Sequence, residues 1–210
     1  MARFRGPRGK VCRRLGVPMT AISMKEADKD PYARRPFPPG QHGPRAAKKL
    51  SEFGKRLQEK QKLRLYYGIL ERQMRRVYRM ASRKKGNSGE NMLSILESRL
   101  DAVVMRLGFA TTIFQARQLV SHGHFAVNGK KANIPSMLLR PGDEVSVREK
   151  SNKLHPILES LDRTKGRGIP QYLELNEGEL KGKLLHLPKR EEIPIVIEEN
   201  LIIEYYAQRG

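Results

Sequence analysis

Several residue types are scarce in this chain of 210 residues, and each shortage argues against a class of protein. There is no Trp and only one Cys, so an internal disulfide is impossible and a reducing compartment is the simple expectation. No apolar run approaches the roughly 20 residues that span a bilayer. No apolar core of a signal peptide follows the first arginines, so we expect no secretion. Hydrophobic residues make up only 38% of the chain, and we expect a large partner to contribute to its ordering.

Acidic residues are also few. The 42 Lys and Arg outnumber the 22 Asp and Glu, and the net charge of +20 indicates a polyanionic partner, either nucleic acid or an anionic membrane. A membrane surface is the weaker alternative, because the basic helices lack Trp and have few bulky residues beyond those a core would use. The first 90 residues hold 25 Lys and Arg against 7 Asp and Glu, and the last 50 hold 8 against 9. We expect the polyanion to contact the first part and a protein to contact the last.

Residues 1–49 form a basic stretch that many Pro and Gly residues interrupt. We therefore predict that this stretch cannot bury a face of its own. Two interpretations stay open, a disordered basic arm and an extension that becomes ordered against phosphates. The compact run from Pro38 to Gly43 favours a defined turn in the bound state.

Two helices are predicted next, at residues 51–67 and 69–83, with Gly68 between them. We expect them to pair antiparallel. A charged helix face is usually only solvated, but five arginines with almost no acidic residue in the second helix would repel one another without an anionic partner. The candidate RNA contacts of this region are Lys55, Arg56, Lys60, Lys62, Arg72, Arg75, Arg76, Arg79, Arg83, Lys84 and Lys85.

The stretch from Glu97 to Lys131 predicts a compact module of helices and a hairpin. The apolar positions between residues 96 and 107 predict a first helix that ends at Gly108. Thr112 then caps a second helix, with Gln115 as its capping-box partner. A strand at residues 125–127 leads into Asn128-Gly129, the strongest short signal for a two-residue hairpin turn.

The rest of the chain is predicted to be mostly β. Residues 145–147 alternate as in a half-buried strand, and residues 171–175 do the same. A helix is predicted around residues 157–163. The apolar run at residues 201–206 predicts a terminal strand.

Cationic and amide side chains are predicted to share one side of the module, because they alternate with the buried positions of its second helix. The alternative without a binding function is a soluble helix with ordinary surface charge. The helix cap, the hairpin and the basic side together favour RNA binding. Arg117→Ala should weaken binding, since a charge-assisted hydrogen bond contributes about 1.5–3 kcal/mol. The candidate RNA contacts of the module are Arg99, Arg106, Arg117, Gln118, Ser121, His122, Lys130 and Lys131.

These residues carry a family resemblance. The runs ESRLD at 97–101, RLG at 106–108, ARQLVSHG at 116–123 and VNG at 127–129 resemble the S4 RNA-binding domain. That domain also occurs in pseudouridine synthases, tyrosyl-tRNA synthetases and a heat-shock protein, so by itself it implies only RNA binding. The runs PGQHG at 39–43, EKQK at 59–62, YGILERQ at 67–73, GNSGEN at 86–91 and LIIEYY at 201–206 resemble bacterial-type ribosomal protein S4. The resemblance covers nearly the whole chain.

The resemblance implies a structural protein of the small ribosomal subunit, located in the cytoplasm. Such a protein binds the 5′ domain of the small-subunit (16S) rRNA early and nucleates assembly. Its C-terminal part contacts ribosomal protein S5 and influences translational accuracy. The resemblance also implies that Arg45, Lys48 and Lys49 lie near the path by which mRNA enters the subunit. We expect no membrane binding and no homo-oligomer.

The expected fold class is α+β. Residues 1–49 are the basic arm, and residues 50–92 are the helical part of an N-terminal domain that packs with residues 168–210. Residues 93–160 are the S4 RNA-binding domain, which has a helix pair and a hairpin. Residues 161–210 are a β-rich C-terminal segment.

We expect neither a metal nor a cofactor. Some relatives carry a zinc-binding cysteine cluster, but a structural zinc site takes four ligands and Cys12 stands alone, far from His42. Elemental analysis of the pure protein should therefore find no zinc, and one zinc per chain would overturn this prediction.

We also expect no enzymatic activity. The glycine-containing run at residues 84–91 lacks the ending of a phosphate-binding loop and follows no strand, which argues against nucleotide binding. His122 and His124 lack a plausible nucleophile or third metal ligand. The alternative function is a free-standing RNA modification or quality-control factor that uses the S4 domain.

Overall fold

The computed structural model describes residues 6–18, 30–45 and 50–208. Its helices and a single antiparallel sheet in these ranges confirm the α+β class. None of the described helices combines the length and apolar character needed to cross a membrane. The helices are α1 (Arg8–Leu15), α2 (Pro31–Arg34), α3 (Glu52–Tyr66), α4 (Glu71–Ser82), α5 (Ser88–Glu97), α6 (Leu100–Arg106), α7 (Ile113–Ser121), α8 (His155–Thr164) and α9 (Glu199–Ala207). The strands are β1 (Phe125–Val127), β2 (Lys130–Ala132), β3 (Glu144–Val147), β4 (Leu173–Asn176) and β5 (Lys181–Leu184).

The chain forms two compact units. The first combines Met1–Gly89 with Val196–Gly210, and the second is Glu90–Ile195. In the first unit, α9 packs against both α3 and α4. The aromatic rings of Tyr206 and Tyr78 stack with their centroids 5.0 Å apart, which joins α9 to the apolar face of α4.

The basic N-terminal stretch does bury side chains, so the prediction that it has no such face is wrong. Cys12 and Leu15 of α1 are buried, and Val17 follows them into the interior. The α1 helix ends at Gly16, whose φ of +64° suits a residue without a side chain, and the backbone oxygen of Leu15 accepts a hydrogen bond from Gln58 of α3. The sequence pattern missed this face because α1 spans only two turns.

Burial gives Cys12 a testable property. Burial, together with the negative charge of Asp30, raises the pKa of its thiol to about 11. Because the thiolate is the reactive form, we expect the native thiol to resist alkylation at neutral pH and to react when the protein is unfolded. Mass spectrometry after treatment with iodoacetamide, with and without denaturant, measures this. Full labelling of the native protein would contradict the burial of Cys12.

The C-terminal run is a helix and the predicted strand at residues 201–206 is wrong. In α9, Ile202, Tyr205 and Tyr206 are buried, a spacing of three and four positions. A short apolar run fits both helical and strand periods, and packing against α3 and α4 decides between them.

The second unit is built on an antiparallel sheet whose described strands follow the order β2-β1-β3-β5-β4. Val127 pairs with Lys130, and Asn128 and Gly129 between them both have positive φ values of 49° and 76°, which confirms the two-residue hairpin. One sheet face packs with α6 and α7 in a core that includes Val103, Leu119, Phe125 and Val145. The helix predicted around residues 157–163 is confirmed as α8.

The predicted single helix between residues 96 and 107 is instead two helices. The break lies at Ser98 and Arg99, where Arg99 has an extended backbone. The amide groups of Leu100 and Asp101 donate to the carbonyl oxygens of Met137 and Pro135, at 2.8 and 3.1 Å, and not to the preceding helical turn. The loop after β2 therefore ends α5 and starts α6. Gly108 ends α6 as predicted, with a φ of +88°.

Candidate nucleic-acid interface

A stripe of arginines runs along one face of α4 and continues just beyond it. The helix buries its opposite face through Met74, Val77 and Ala81. Helical spacing of three and four residues keeps the arginines together, and all of them are exposed. We call this set the α4 arginine stripe, and it consists of Arg72, Arg75, Arg76, Arg79 and Arg83. The exposed Lys84 and Lys85 follow it directly.

Acidic side chains in the described part of the protein balance little of the positive charge of the stripe. Arg75 lies 3.7 Å from Glu71, whereas the other four arginines contact no carboxylate within the described ranges. Like charges three and four residues apart destabilise a helix, so the packing of the opposite face must hold α4 together in the free protein. An anion along the stripe removes this repulsion, which is the behaviour expected of a phosphate-binding surface.

Glu71, at the start of α4, fixes the helix to its neighbours. Its carboxylate accepts hydrogen bonds from Lys60 at 2.9 Å, Arg64 at 3.1 Å and the hydroxyl of Tyr206 at 2.9 Å. Burial acts to raise the pKa of Glu71, but the bonds from Lys60 and Tyr206 and the two positive charges outweigh it and lower the pKa. The carboxylate therefore stays ionised and joins α3, α4 and α9.

The predicted RNA contacts on α3 are engaged within the protein. Lys60 is buried between Glu71 and the ring of Tyr205, so its ammonium group is inside the unit, contrary to the predicted surface position. The other three remain at least partly exposed but contact acidic side chains. Lys55 contacts Glu52, Lys62 contacts Glu59, and Arg56 contacts Glu204.

In the second unit, the exposed side of α7 carries Gln118, Ser121 and His122, and β2 exposes Lys130 and Lys131. We call these five residues the α7 face. Thr112 caps α7 as predicted, because its hydroxyl accepts from the amide of Gln115 at 3.1 Å. The return bond of the capping box differs from the prediction, since the Gln115 side chain accepts from Thr111. This cap fixes where the exposed positions of α7 lie.

Arg117 and Arg99 do not belong to the exposed surface. Both are buried, and both donate to the fully buried carboxylate of Asp101. Arg99 donates at 2.9 and 2.8 Å, and Arg117 at 3.0 and 2.6 Å. The prediction that Arg117 projects outward is therefore wrong. The three side chains form a cluster, here called the Asp101 cluster, that ties α7 to the start of α6.

Arg106 is also held inside the second unit. It donates two hydrogen bonds, of 3.0 and 2.6 Å, to the buried carboxylate of Glu97, which also accepts the hydroxyl of Tyr172 at 3.0 Å. Burial and the charge of Glu97 raise the pKa of Tyr172, so its hydroxyl remains a donor. Arg106 thus joins α5, α6 and the segment before β4 and does not extend the α7 face.

Of the three residues predicted to lie near mRNA, the structure describes only the backbone of Arg45. The backbone of Arg45 ends a short 3₁₀ helix at Gly43–Arg45. Lys48 and Lys49 lie outside the described residues.

No group of three or more His, Cys, Asp or Glu side chains in the described ranges is arranged to hold a metal ion. The rings of His122 and His124 lie 6.0 Å apart, and Nδ1 of His124 is 2.9 Å from the hydroxyl of Ser151. Burial, His122 and Arg148 lower the pKa of His124, which favours its neutral form. The absence of zinc stays a prediction.

Comparison with known proteins connects both units to one family. Residues 3–97 match the family model of the ribosomal protein S4/S9 N-terminal domain, and residues 98–145 match that of the S4 domain. A protein of Thermoanaerobacter sp. (strain X514) named small ribosomal subunit protein uS4 is 51% identical over 209 residues, which cover 99% of this chain and 100% of that protein. The chain belongs to the uS4 family. Proteins of the same name from Rubrobacter xylanophilus and Staphylococcus aureus (strain Newman) are 49% and 50% identical over 208 residues, again 99% of this chain and 100% of each relative.

Membership of the uS4 family confirms the resemblance seen in the sequence motifs. It also changes how those motifs are understood. ESRLD at 97–101 and ARQLV at 116–120 supply the Asp101 cluster and the Glu97 contacts, so part of the family signature builds the interior of the unit.

Two carboxylates that organise the candidate interface were missed in the sequence, Glu71 and Asp101. A signal was present for Asp101, because an acidic residue at an apolar helix start needs a cationic partner, and Arg99 lies two positions before it. Glu71 also has cationic partners nearby in the sequence, Arg75 four positions later and Arg64 seven positions before, but its bond with Tyr206, 135 positions later, could not be predicted from spacing.

Proposed function

We propose that the chain is a structural constituent of the small ribosomal subunit that binds small-subunit rRNA through the α4 arginine stripe and the α7 face. The observation that carries this proposal is the exposed stripe, with four of its five arginines away from any described carboxylate. It occurs in a chain that matches, over nearly its whole length, relatives named small ribosomal subunit protein uS4.

The proposed mechanism is binding without covalent chemistry. Guanidinium groups on α4 displace counterions from the phosphates, so the affinity falls with salt by about 0.7–0.9 log units per phosphate contacted for each tenfold rise in salt. On the α7 face, the side chains of Gln118, Ser121 and His122 can donate hydrogen bonds to phosphate oxygens, and they can donate to or accept from ribose hydroxyls. Glu71, Glu97 and the Asp101 cluster support the two surfaces from inside, so we assign Lys60, Arg99, Arg106 and Arg117 a supporting role.

Further roles follow from family membership and belong to the same proposal. The chain would bind the 5′ domain of the 16S rRNA early, nucleate assembly and act in the cytoplasm as part of the subunit. The last fifty residues, with 8 basic and 9 acidic side chains, suit a contact with ribosomal protein S5 that influences accuracy. Arg45, Lys48 and Lys49 would lie near the path of mRNA. One copy would act without forming a homo-oligomer.

One experiment separates this function from a free-standing RNA modification or quality-control factor. Cell extract is fractionated on a sucrose gradient, and the chain is quantified relative to other small-subunit proteins. We expect one copy in every small subunit. A substoichiometric, transient association would support the free-standing factor. Crosslinking of the purified subunit, with mapping of the linked nucleotides, then tests whether α4 and α7 contact the 16S rRNA.

A further inference from the structure

An exposed apolar turn lies in the loop between β2 and β3. Ile134, Met137 and Leu138 have exposed fractions of 56%, 40% and 41%. The amide of Met137 donates to the carbonyl oxygen of Ile134 at 3.0 Å, which closes a tight turn that carries the three side chains. We call these three residues the apolar turn. Single exposed apolar residues are ordinary, but three within five positions form a surface that a partner can cover.

The backbone of this turn is held rigidly. Its carbonyl groups cap α6, because Met137 and Pro135 accept from the amides of Leu100 and Asp101. The amide of Leu139 donates to Ser98 at 2.8 Å, directly after the apolar turn. These bonds fix the turn to the segment that contains the Asp101 cluster, and that cluster is bound to α7 through Arg117. The backbone of the apolar turn is therefore fixed to the segment that supports the α7 face, so binding at the turn costs little backbone conformational entropy.

The charge along the same loop indicates the chemistry of the partner. Between residues 130 and 142 the charged residues are Lys130, Lys131 and Arg140, and there is no acidic residue. The next residue, Asp143, uses its carboxylate to accept from the amide of Arg140 at 2.7 Å and from Asn128 at 2.8 Å. An apolar turn within a positively charged segment suits a polyanion that also has apolar faces, which describes RNA with unstacked bases.

We propose that the apolar turn is a wedge that packs against unstacked bases of the rRNA beside the phosphates bound by the α7 face. This inference rests on the proposed function and assigns the turn a separate contact with RNA. Nucleic-acid-binding proteins use Ile, Leu and Met side chains in a related way, inserting them between base steps that they partly unstack. The contact with bases adds affinity that does not depend on counterion release. Removing it should therefore lower the affinity without changing the dependence on salt, whereas removing the arginines should change both.

A triple variant tests the wedge. Ile134→Ser, Met137→Ser and Leu138→Ser together leave the charge unchanged and alter only exposed side chains. We expect the affinity for 16S rRNA to fall about tenfold or more, with the same slope of log affinity against log salt as the unchanged protein. The matched control carries Leu158→Ser, Ile169→Ser and Leu185→Ser, at exposed positions with similar exposed fractions of 41%, 42% and 45%. The control should bind like the unchanged protein, and the circular dichroism spectra of all three proteins should agree.

A cleavage experiment locates the contact. Because Cys12 is buried, a Cys introduced by Ile134→Cys should be the thiol that takes an iron chelate on the native protein. We expect the chelate to cut the bound rRNA at a cluster of unpaired nucleotides, and a chelate on Leu158→Cys not to cut there.

Unchanged affinity of the Ser variant, a reduced salt slope, or cleavage confined to paired helices would overturn the wedge while the proposed function stands. If the unchanged protein fails to bind 16S rRNA, both proposals fall. An apolar turn that contacts a neighbouring protein would leave RNA affinity unchanged and would thus also overturn the wedge.

Discussion

Replacing Asp101 by Ala is expected to lower the free energy of unfolding of the second unit by about 3–5 kcal/mol. The substitution removes a fully buried carboxylate and leaves the guanidinium groups of Arg99 and Arg117 without the partner that accepts four of their hydrogen bonds. Amide hydrogen exchange in α6 and α7 during a urea titration measures the loss in the unit that contains the cluster. We also expect weaker rRNA binding, because the α7 face loses its support.

Two further variants make the Asp101 result interpretable. Asp162→Ala removes an exposed carboxylate that pairs with Lys165, and it should change the free energy of unfolding by about 1 kcal/mol or less. Replacing the entire cluster with Met at positions 99 and 117 and Leu at 101 removes all the buried charges together, and it should restore most of the stability. A loss in the Ala variant no larger than that of the exposed control would mean that the cluster does not hold the unit together.

Neutralising the α4 arginine stripe is expected to have the largest effect on binding. A variant with Arg72→Gln, Arg76→Gln, Arg79→Gln and Arg83→Gln should bind 16S rRNA about a thousandfold more weakly. Each exposed contact contributes about 1 kcal/mol net, so the four together contribute about 4 kcal/mol. The slope of log affinity against log salt should fall by about 3, since each lost phosphate contact removes roughly 0.7–0.9. Filter binding over a series of salt concentrations gives both quantities. The fold should remain, because these side chains are exposed.

The matched control changes the same number of charges elsewhere. Lys150, Lys153, Arg163 and Lys165 are exposed in the second unit, and their replacement by Gln lowers the net charge equally. We expect a much smaller loss of affinity from this control. Equal losses in the two variants would show that RNA senses only the total charge, and the α4 stripe would then have no special role.

The sequence predicts the local elements well where the signal is local. The Asn128-Gly129 hairpin and the Thr112 cap depend on residues within a few positions of one another, and both are present. Predictions from the sequence are wrong where contacts between distant positions determine the burial or the secondary structure of a residue. The helical period is compatible with a surface position for Arg117. Its side chain is nevertheless buried, because it donates to Asp101, 16 positions away. For the same reason the strand predicted at residues 201–206 is a helix, because α3 and α4 supply the surface it packs on.

The family resemblance could be recognised from the sequence. Which basic residues are exposed candidates for RNA contact, and which are buried against carboxylates, could not. Counting arginines treats those at positions 76 and 99 alike, although one is exposed and the other is buried against a carboxylate. Burial depends on tertiary contacts that no spacing rule encodes. The candidate interface is therefore narrower than the basic composition suggests, and it lies mainly on α4 and α7.

The order in which the chain is synthesised has a consequence for the first unit. That unit combines residues 1–89 with residues 196–210, whereas the second unit is contiguous and can fold as soon as it has left the exit tunnel. The hydroxyl of Tyr206 donates to Glu71, which is synthesised 135 residues earlier, so α4 gains this support only after residue 206 has been made. A polypeptide released early would display every arginine of α4 on an incompletely supported helix. Synthesis through α9 is thus itself a condition for a correctly shaped first unit.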